Sequence, residues 1–295
     1  MIGRHADDDR ARGFTYNGIR FDQNTLHLFA GLCAVDNREN VESMMRALKQ
    51  HQLPCTRMGA YKPRTSPYSF QGHGTAACPG YSSWRVVTTS KSSPWRSRTI
   101  PRSRDSRNTE FLRTPHWGHA PDRHEKHPEF RASQGRGPSA ELPVLIKRGF
   151  GITLEESLNA TEYLANEGNS NVVFCLRGMK TNLGDPHRNL VDFSHVPTVK
   201  HLTPLPVCID PSHSVGSRNR GVDGLLDIMH VTAQGIIAGA NMVLVDFHPN
   251  PQQALVDGPQ AMLLDELPWF LEDMQIARQA WEKRVALAQE NLKTP

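Results

Sequence analysis

The stretch PVLIKRGFGITLEESLNATEYLANEGNSNVVFCLRG, residues 143–178, decides the fold of this chain. It contains two apolar runs of strand length, one from Pro143 to Lys147 and one from Asn171 to Leu176. Between them, Thr153-Leu154-Glu155-Glu156 is a capping box, which begins a helix predicted to run to about Asn166. A strand, a helix and a second strand in this order predict a parallel β/α unit.

The same alternation continues on both sides of this stretch. Toward the C-terminus, the patterns predict strands from Leu205 to Asp210 and from Met242 to Asp246, and helices from Gly224 to Ala240 and from Leu267 to Leu292. Toward the N-terminus, they predict strands from Leu26 to Ala30 and from Pro54 to Met58, a helix from Asn40 to Gln50 and a loop from Tyr61 to Gly74. With 295 residues, the chain suits one (β/α)8 barrel, for which about 250 residues is typical.

These patterns divide the chain into a lead-in and one barrel domain. Residues 1–25 are polar and are expected to be irregular. Residues 26–295 are predicted to form a single α/β domain that is interrupted by residues 75–140. That segment holds twelve Lys or Arg and ten Ser but only one Leu, one Ile and two Val. It cannot bury enough apolar surface to offset the entropy lost on ordering.

Charge and cysteine usage exclude several classes of protein. The net charge of +4 comes from the basic segment, because the residues outside it carry −3, so global charge is no argument for nucleic-acid binding. Five scattered cysteines without a CxxC pair argue against a disulfide scaffold or a zinc knuckle. No apolar run is long enough for a membrane helix, and no signal peptide is recognisable. We therefore expect a cytoplasmic protein without a membrane partner.

Cationic side chains follow several of the predicted strands. In a (β/α)8 barrel the active site lies at the carboxyl ends of the strands, so these side chains are expected to converge. With the hydroxyl groups of Thr65 and Ser66, they suit phosphate and carboxylate groups, since guanidinium groups bind such oxygens in pairs. The cations are Arg57, Lys62, Arg64, Lys147 and Arg177.

A second set of strand-end residues offers sulfur, nitrogen and oxygen ligands. It comprises Cys33, His213, Asp246 and Asp257. Together they fit a divalent transition metal, which polarises an aldehyde as a Lewis acid. Each residue alone also fits a structural role: a cysteine packs, and His213 caps a helix or lies in the core. Cys55, Cys175 and Cys208 lie within strands and are interpreted as packing residues, and His248 fits a substrate contact and a structural role equally.

Several motifs resemble those of one enzyme family, the class I DAHP/KDO8P synthases, and within it the 3-deoxy-7-phosphoheptulonate (DAHP) synthases. The run from Lys62 to Gly72 resembles their erythrose 4-phosphate loop, and Val144 to Gly149 resembles their phosphoenolpyruvate lysine strand. The segments Glu167–Gly178, Asp210–His213 and Leu255–Gln260 are similar to later motifs. The resemblance covers residues 26–73 and 141–285 and implies a TIM barrel.

The resemblance also implies a reaction and roles for the candidate residues. Phosphoenolpyruvate condenses with erythrose 4-phosphate to give DAHP and phosphate, the first step of aromatic amino acid biosynthesis. The expected cofactor is a divalent metal (Mn, Fe, Zn or Co), and a homo-oligomer without nucleic acid is expected. The metal ligands would be Cys33, His213, Asp246 and Asp257. Phosphoenolpyruvate would be held by Arg57, Lys62, Lys147 and Arg177, and the aldose phosphate by Arg64, Thr65 and Ser66. The catalytic residues would be Lys62, Lys147 and His213.

The chain departs from the family pattern at single positions. Leu32 stands where the family usually has proline before the metal cysteine. Asp246 stands where a glutamate is usual, so this carboxylate is one methylene shorter. Leu176 replaces a glutamate in the phosphate-binding motif. The shorter Asp246 side chain is the departure that bears most directly on the metal site.

The largest departure is residues 75–140, where the family has its third and fourth barrel strands. We interpret the segment of about 75–138 as translated out of frame, since a one-base shift over Glu125 to Pro138 permits a family-like sequence. A natural disordered insertion is the alternative. A barrel without these strands has open edges and lacks a phosphate-binding arginine of the fourth strand, so weak or absent activity is expected.

Three alternative functions remain open from the sequence. The sister enzyme, 3-deoxy-octulosonate 8-phosphate synthase, also uses phosphoenolpyruvate, although the Lys62–Ser66 loop favours the erythrose enzyme. The basic stretch Arg85–Arg136, with tryptophans that stack on bases, fits a nucleic-acid-binding protein. A catalytically inactive remnant of the family is the third alternative.

The frame interpretation can be tested on the gene. We expect the neighbouring frame to encode family-like residues over positions 116–138, because the Trp117 codon constrains that frame to the glycine that the family has there. The measurement is the nucleotide sequence of this region. Absence of any family-like segment in the neighbouring frames would favour the natural insertion.

Overall fold

The computed structural model describes residue 3 and residues 13–62, 66–74, 143–166, 168–183 and 186–292. The strands in these ranges are β1 (Phe14–Tyr16), β2 (Ile19–Phe21), β3 (His27–Gly31), β4 (Val144–Lys147), β5 (Val172–Leu176), β6 (Val207–Ile209), β7 (Met242–His248) and β8 (Met262–Leu263). The α-helices in these ranges are α1 (Arg38–Gln50), α2 (Leu154–Asn166), α3 (Val196–Leu202), α4 (Pro211–Val215), α5 (Asp227–Ile237) and α6 (Leu267–Leu292).

Most of these strands belong to one parallel sheet. Its strand order is β3-β7-β6-β5-β4, and β8 pairs with β7. Helices connect successive strands, as α2 does between β4 and β5. A bridge between Ala30 and Thr56 adds the next part of the chain beside β3. The arrangement confirms the predicted α/β class with its repeated parallel β/α units.

Both faces of this sheet are apolar, and they carry different side chains. Val172 and Phe174 of β5 pack in the larger cluster, which includes the helices. Their neighbours Val173 and Cys175 belong to a second cluster, on what we call the inner face. Side chains alternate between the faces of a strand, so a strand covered on both faces is apolar throughout. Cys55 and Cys208 also lie in the inner cluster, which confirms packing roles for these cysteines.

A short hairpin closes the inner face at the amino ends of the strands. β1 and β2 pair antiparallel around Asn17 and Gly18, both with positive φ, as the favoured two-residue hairpin turns require. The ring centroid of Phe21 lies 5.3 Å from that of Phe14 and 6.1 Å from that of Phe29. The prediction of an irregular lead-in is therefore wrong for residues 14–21, and the Asn-Gly dipeptide was the signal for it.

Most predicted elements are confirmed, with shifts at their ends. The capping box forms as expected: the Thr153 backbone N–H donates to Glu156 Oε2 at 2.8 Å, and the Glu156 N–H donates to Thr153 Oγ1 at 3.1 Å. The helix predicted from Gly224 begins at Asp227, because Gly224 has a positive φ of 87° and Leu226 has an extended backbone. The strand predicted at 54–58 is reduced to the bridge at Thr56. The pattern did not predict α3, α4 or β8.

The interrupted segment was the other main expectation for the fold. Residues 75–140, with the positions of the third and fourth barrel strands, lie outside the described residues. The division into a lead-in and one interrupted domain therefore stays a prediction. In the described part of the chain, no helix combines the length and apolar character needed to cross a membrane.

The hairpin yields a stability prediction. Replacing Phe21 by Ala (Phe21→Ala) removes a buried ring that joins the hairpin to β3. We expect the free energy of unfolding to fall by about 3 kcal/mol, as for other buried aromatic truncations, measured by urea denaturation. Tyr68→Ala is the control, since Tyr68 is 96% exposed. Equal effects of the two substitutions would contradict a packing role for the hairpin.

Candidate active site

Strand periodicity places charged side chains together at the carboxyl ends of the strands. Lys147 follows the inner-face residue Leu145 by two positions, and Arg177 follows Cys175 in the same way. Asp210 bears the same relation to Cys208. Since side chains two residues apart point to the same face of a strand, these groups project directly above the apolar inner layer. Asp246, two residues after Leu244, is the fourth charged group of this set.

Three of the predicted metal ligands meet in one cluster. Cys33 Sγ lies 3.2 Å from Asp257 Oδ2 and 3.8 Å from His213 Nε2, and the last two atoms are 3.6 Å apart. A tetrahedral ion with bonds of about 2.0–2.3 Å holds its ligand atoms about 3.3–3.8 Å apart. The cluster therefore fits a divalent transition metal, and among the described residues it is the group of His, Cys and acidic side chains that does so.

The orientation of His213 supports the same conclusion. Its Nδ1 lies 2.9 Å from Asp210 Oδ1, while its Nε2 faces Cys33 and Asp257. Metal-binding histidines typically use one ring nitrogen as ligand and donate the other N–H to a carboxylate. Burial alone would lower the pKa of His213, but the Asp210 and Asp246 carboxylates raise it to about 9. Binding of a metal at Nε2 therefore displaces a proton at neutral pH.

Lys62 lies against this cluster. Its Nζ is 2.7 Å from Cys33 Sγ and 2.7 Å from Asp257 Oδ2. Burial opposes the charge of Lys62, but Cys33 and Asp257 outweigh it and raise the lysine pKa. Burial likewise opposes the charge of Asp257, whose pKa is nevertheless held far below its usual value by His213 and Lys62. Lys62 thus carries its proton beside two of the candidate ligands.

Asp210 joins the metal cluster to the cationic side chains. Its Oδ2 accepts a hydrogen bond from Lys147 Nζ at 2.5 Å, while its Oδ1 faces His213. Burial opposes the charge of this fully buried carboxyl, but His213 and Lys147 hold its pKa far below the usual value. Asp210 was not among the predicted site residues, although its register on the inner face was a signal for a site role.

Among the described residues, three buried arginines have an Nε without a hydrogen-bond partner: Arg148, which is paired with Asp192, and the predicted site residues Arg57 and Arg177. Arg57 is 2% exposed and Arg177 is 6% exposed, and the Nε of each lacks a hydrogen-bond partner. The Arg177 guanidinium lies 4.2 Å from the ring centroid of Phe150, and burial lowers its pKa against the pull of Asp210. Because unsatisfied buried donors are costly, both arginines suit an anionic ligand.

Asp246 is the fourth predicted metal ligand, and its carboxylate contacts other side chains. Its Oδ1 accepts a hydrogen bond from Arg57 Nη1, and its Oδ2 accepts one from Gln260 Nε2 at 2.6 Å. Asp246 is not a member of the three-residue cluster. Both of its oxygens accept hydrogen bonds from other side chains, and its role as a metal ligand stays a prediction.

The remaining predicted site residues have varied positions. Ser66 lies in a turn, where its Oγ accepts a hydrogen bond from the Tyr68 N–H at 3.3 Å. Arg64 and Thr65 lie outside the described residues. His248 Nε2 is 2.7 Å from Asp36 Oδ2, and its Nδ1 accepts from the Asn250 N–H. With both ring nitrogens bonded within the protein, His248 favours the structural interpretation.

Comparison with known proteins decides the family. The sequence profile described as "DAHP synthetase I family" matches residues 14–78 and 125–283, which is more than half of the chain. The chain belongs to this family. The matched range begins at Phe14 and includes β1 and β2.

Relatives and solved structures agree with this assignment. The phospho-2-dehydro-3-deoxyheptonate aldolase of Thermotoga maritima is 32% identical over 271 residues, covering 87% of this chain and 71% of the relative. A crystal structure of that organism's DAHP synthase aligns with a TM-score of 0.69 at 28% identity, covering 92% of this chain and 74% of the other. A truncated form aligns with a TM-score of 0.67 at 25% identity, covering 95% and 96%. These likenesses confirm the predicted barrel fold.

The sister enzymes are more distant. A 2-dehydro-3-deoxyphosphooctonate aldolase of Legionella pneumophila is 28% identical over 145 residues, covering 48% of this chain and 52% of the relative. The family profile skips residues 79–124 and resumes at 125, inside the segment that we interpret as out of frame. The out-of-frame interpretation stays a prediction for this chain.

The role of Asp210 behind His213 can be tested by metal binding. We expect Asp210→Asn to weaken Co²⁺ binding by about 10- to 100-fold, the usual cost of losing an outer-shell carboxylate, measured by titration of the thiolate-to-cobalt absorption. The matched control is Asp36→Asn, which changes the aspartate beside the other buried histidine, His248. An equal loss in both variants would show that the effect is general destabilisation rather than support of His213.

Proposed function

We propose that this chain condenses phosphoenolpyruvate with erythrose 4-phosphate, giving DAHP and phosphate, at a divalent metal held by Cys33, His213 and Asp257. The observation that carries the proposal is that a cationic side chain contacts the candidate metal ligands. Lys62 touches both Cys33 and Asp257. Family membership supports the same activity.

The cationic side of the site suits phosphoenolpyruvate. This substrate carries a phosphate and a carboxylate, and the buried Nε–H donors of Arg57 and Arg177 lack partners among the described residues. Lys147 adds a cation that is anchored by Asp210. Arg177 most needs an anion, because its charge is buried against the Phe150 ring and forms no ion pair with a carboxylate of the described residues. We assign the phosphate to Arg177 and Lys147.

The metal side suits the aldehyde. A bound divalent metal supplies Lewis-acid polarisation of the aldehyde oxygen. A mixed set of thiolate, imidazole and carboxylate leaves the choice among Mn, Fe, Zn and Co open. Lys62, which holds its proton beside Cys33 and Asp257, is placed to give that proton to the developing alkoxide as the methylene carbon attacks. Water then adds to the cationic carbon, and phosphate leaves.

His213 acts mainly through its position in this scheme. Asp210 orients its ring so that Nε2 faces the cluster. The aldose phosphate is assigned to the loop bearing Arg64, Thr65 and Ser66 on the strength of its motif. A cytoplasmic location and a homo-oligomeric state complete the proposal, and they rest on the family alone.

The sister activity and an inactive remnant are the competing functions. The shorter and less similar match to the octulosonate relatives favours the erythrose substrate. The family profile passes over residues 79–124, which is the observation that favours a remnant. We therefore expect the rate to be low, because loss of the phosphate contact of the fourth-strand arginine alone weakens substrate binding by about 1.5–3 kcal/mol.

A phosphate-release assay tests the function. We expect metal-dependent phosphate release with phosphoenolpyruvate, Mn²⁺ and erythrose 4-phosphate, abolished by a chelator. A five-carbon aldose 5-phosphate should react poorly; it is the sister substrate because an eight-carbon product minus three carbons from phosphoenolpyruvate leaves five. Release that prefers the five-carbon sugar would favour the sister enzyme, and no release with either sugar would favour the remnant.

A matched pair of lysine variants refines this assay. Lys147→Met should lower kcat/KM by roughly 10- to 150-fold, the value of one charged hydrogen bond. Lys49→Met, in the last turn of α1, should leave it unchanged. Equal rates for the two variants would remove Lys147 from the site.

A further inference from the structure

The carboxylate of Asp246 is fully engaged inside the protein. The side chain is 1% exposed. Arg57 donates to one of its oxygens, and Gln260 Nε2 donates to the other at 2.6 Å. The Asp246 backbone N–H is also fixed, since it donates to Ser212 Oγ at 2.9 Å.

A second arginine fixes the direction of the Gln260 amide. Arg188 Nη1 donates to Gln260 Oε1 at 3.0 Å. Because a guanidinium has donors only, the amide oxygen must face Arg188 and the amide NH₂ must face Asp246. The same Arg188 nitrogen lies 3.8 Å from Asp257 Oδ1. Gln260 thus contacts Asp246 and Arg188 faces Asp257, and neither Arg188 nor Gln260 was a predicted site residue.

The position of Asp246 around the His213 ring separates it from the metal cluster. Asp246 Oδ2 lies 3.9 Å from His213 Nδ1, which is the nitrogen already bonded to Asp210. Cys33 and Asp257 lie at Nε2 instead. The two ring nitrogens point in different directions, so Asp246 faces a different edge of the imidazole from the candidate ligands. Its side chain is also one methylene shorter than the glutamate that the resemblance led us to expect.

We propose that Asp246 lies outside the coordination sphere and is a positioning residue for Arg57, and that the metal centre of this chain is built on Cys33, His213 and Asp257 alone. The inference rests on the proposed metal site. Three protein ligands leave coordination positions open for substrate, as in catalytic metal sites generally.

This assignment separates metal binding from anion binding. Arg57 is held through one end of its guanidinium by Asp246 and by the Leu32 carbonyl at 3.3 Å. Burial opposes its charge, but Asp246 and then Cys33 raise the pKa of Arg57. Its Nε has no hydrogen-bond partner among the described residues. Loss of the Asp246 charge should therefore release Arg57 and weaken binding of phosphoenolpyruvate, while the three metal ligands keep their arrangement.

Co²⁺ titration and calorimetric binding of phosphoenolpyruvate to the full chain test the proposal. For Asp246→Asn, we expect the Co²⁺ dissociation constant to stay within about threefold of the parent protein, below the 10- to 100-fold cost typical of outer-shell losses. We expect the dissociation constant of phosphoenolpyruvate to rise about tenfold or more. Asp257→Asn, the same chemical change at a proposed ligand, should weaken Co²⁺ by more than about 100-fold.

Gln260→Leu is the second variant, because it removes one anchor of Asp246 and leaves the ion pair with Arg57. It should also keep the parent Co²⁺ affinity and absorption spectrum, so it decides the question if circular dichroism shows that Asp246→Asn does not fold.

Loss of Co²⁺ affinity in Asp246→Asn or Gln260→Leu would show that Asp246 is a ligand or supports one. That result would overturn the inference but not the proposed metal site. Unchanged phosphoenolpyruvate binding in a folded Asp246→Asn would overturn the positioning role. Absence of Co²⁺ binding by the parent protein would overturn the inference and the proposed metal site together.

Discussion

The site depends on one buried carboxylate, Asp210. It begins α4 by accepting the His213 backbone N–H at 3.2 Å, and it faces the ring nitrogen of the same residue at 2.9 Å. Its second oxygen holds Lys147. A buried carboxylate is costly unless several donors satisfy it, so the three contacts fix one another. The orientation of His213, the position of Lys147 and the start of α4 are thus consequences of a single charge at the end of β6.

The charges around Asp210 form two regions, the metal cluster and the cationic region of Arg177. Asp257 lies between the cationic side chains Lys62 and His213, and a metal ion has to compete with Lys62 for Cys33 and Asp257. Arg177, by contrast, is buried against an aromatic ring with an unsatisfied donor. The first region suits a metal and an aldehyde, and the second suits a phosphate. In the proposed function, Asp210 and Lys147 would lie between the two substrates.

The relation of this chain to its family is uneven along the sequence. The matched ranges include the hairpin, the strands of the inner layer and the motifs of the site. The family profile passes over residues 79–124, which are also poor in apolar residues. The resemblance that identified the family therefore came from the strand ends, where charged residues are required by chemistry rather than by packing.

The sequence by itself determined the strand and helix alternation, the apolar inner face and the set of residues at the strand ends. It could do so because these features depend on periodicities of two and 3.6 residues and on local capping. It also contained the Asn17-Gly18 turn, which was overlooked. Only the tertiary structure decided which strand-end groups pair. Asp246 and Asp257 are both aspartates in loops or strand ends, yet one is bound by Arg57 and Gln260 and the other faces Cys33 and His213. That difference arises from contacts between residues far apart in the chain, which no local pattern encodes.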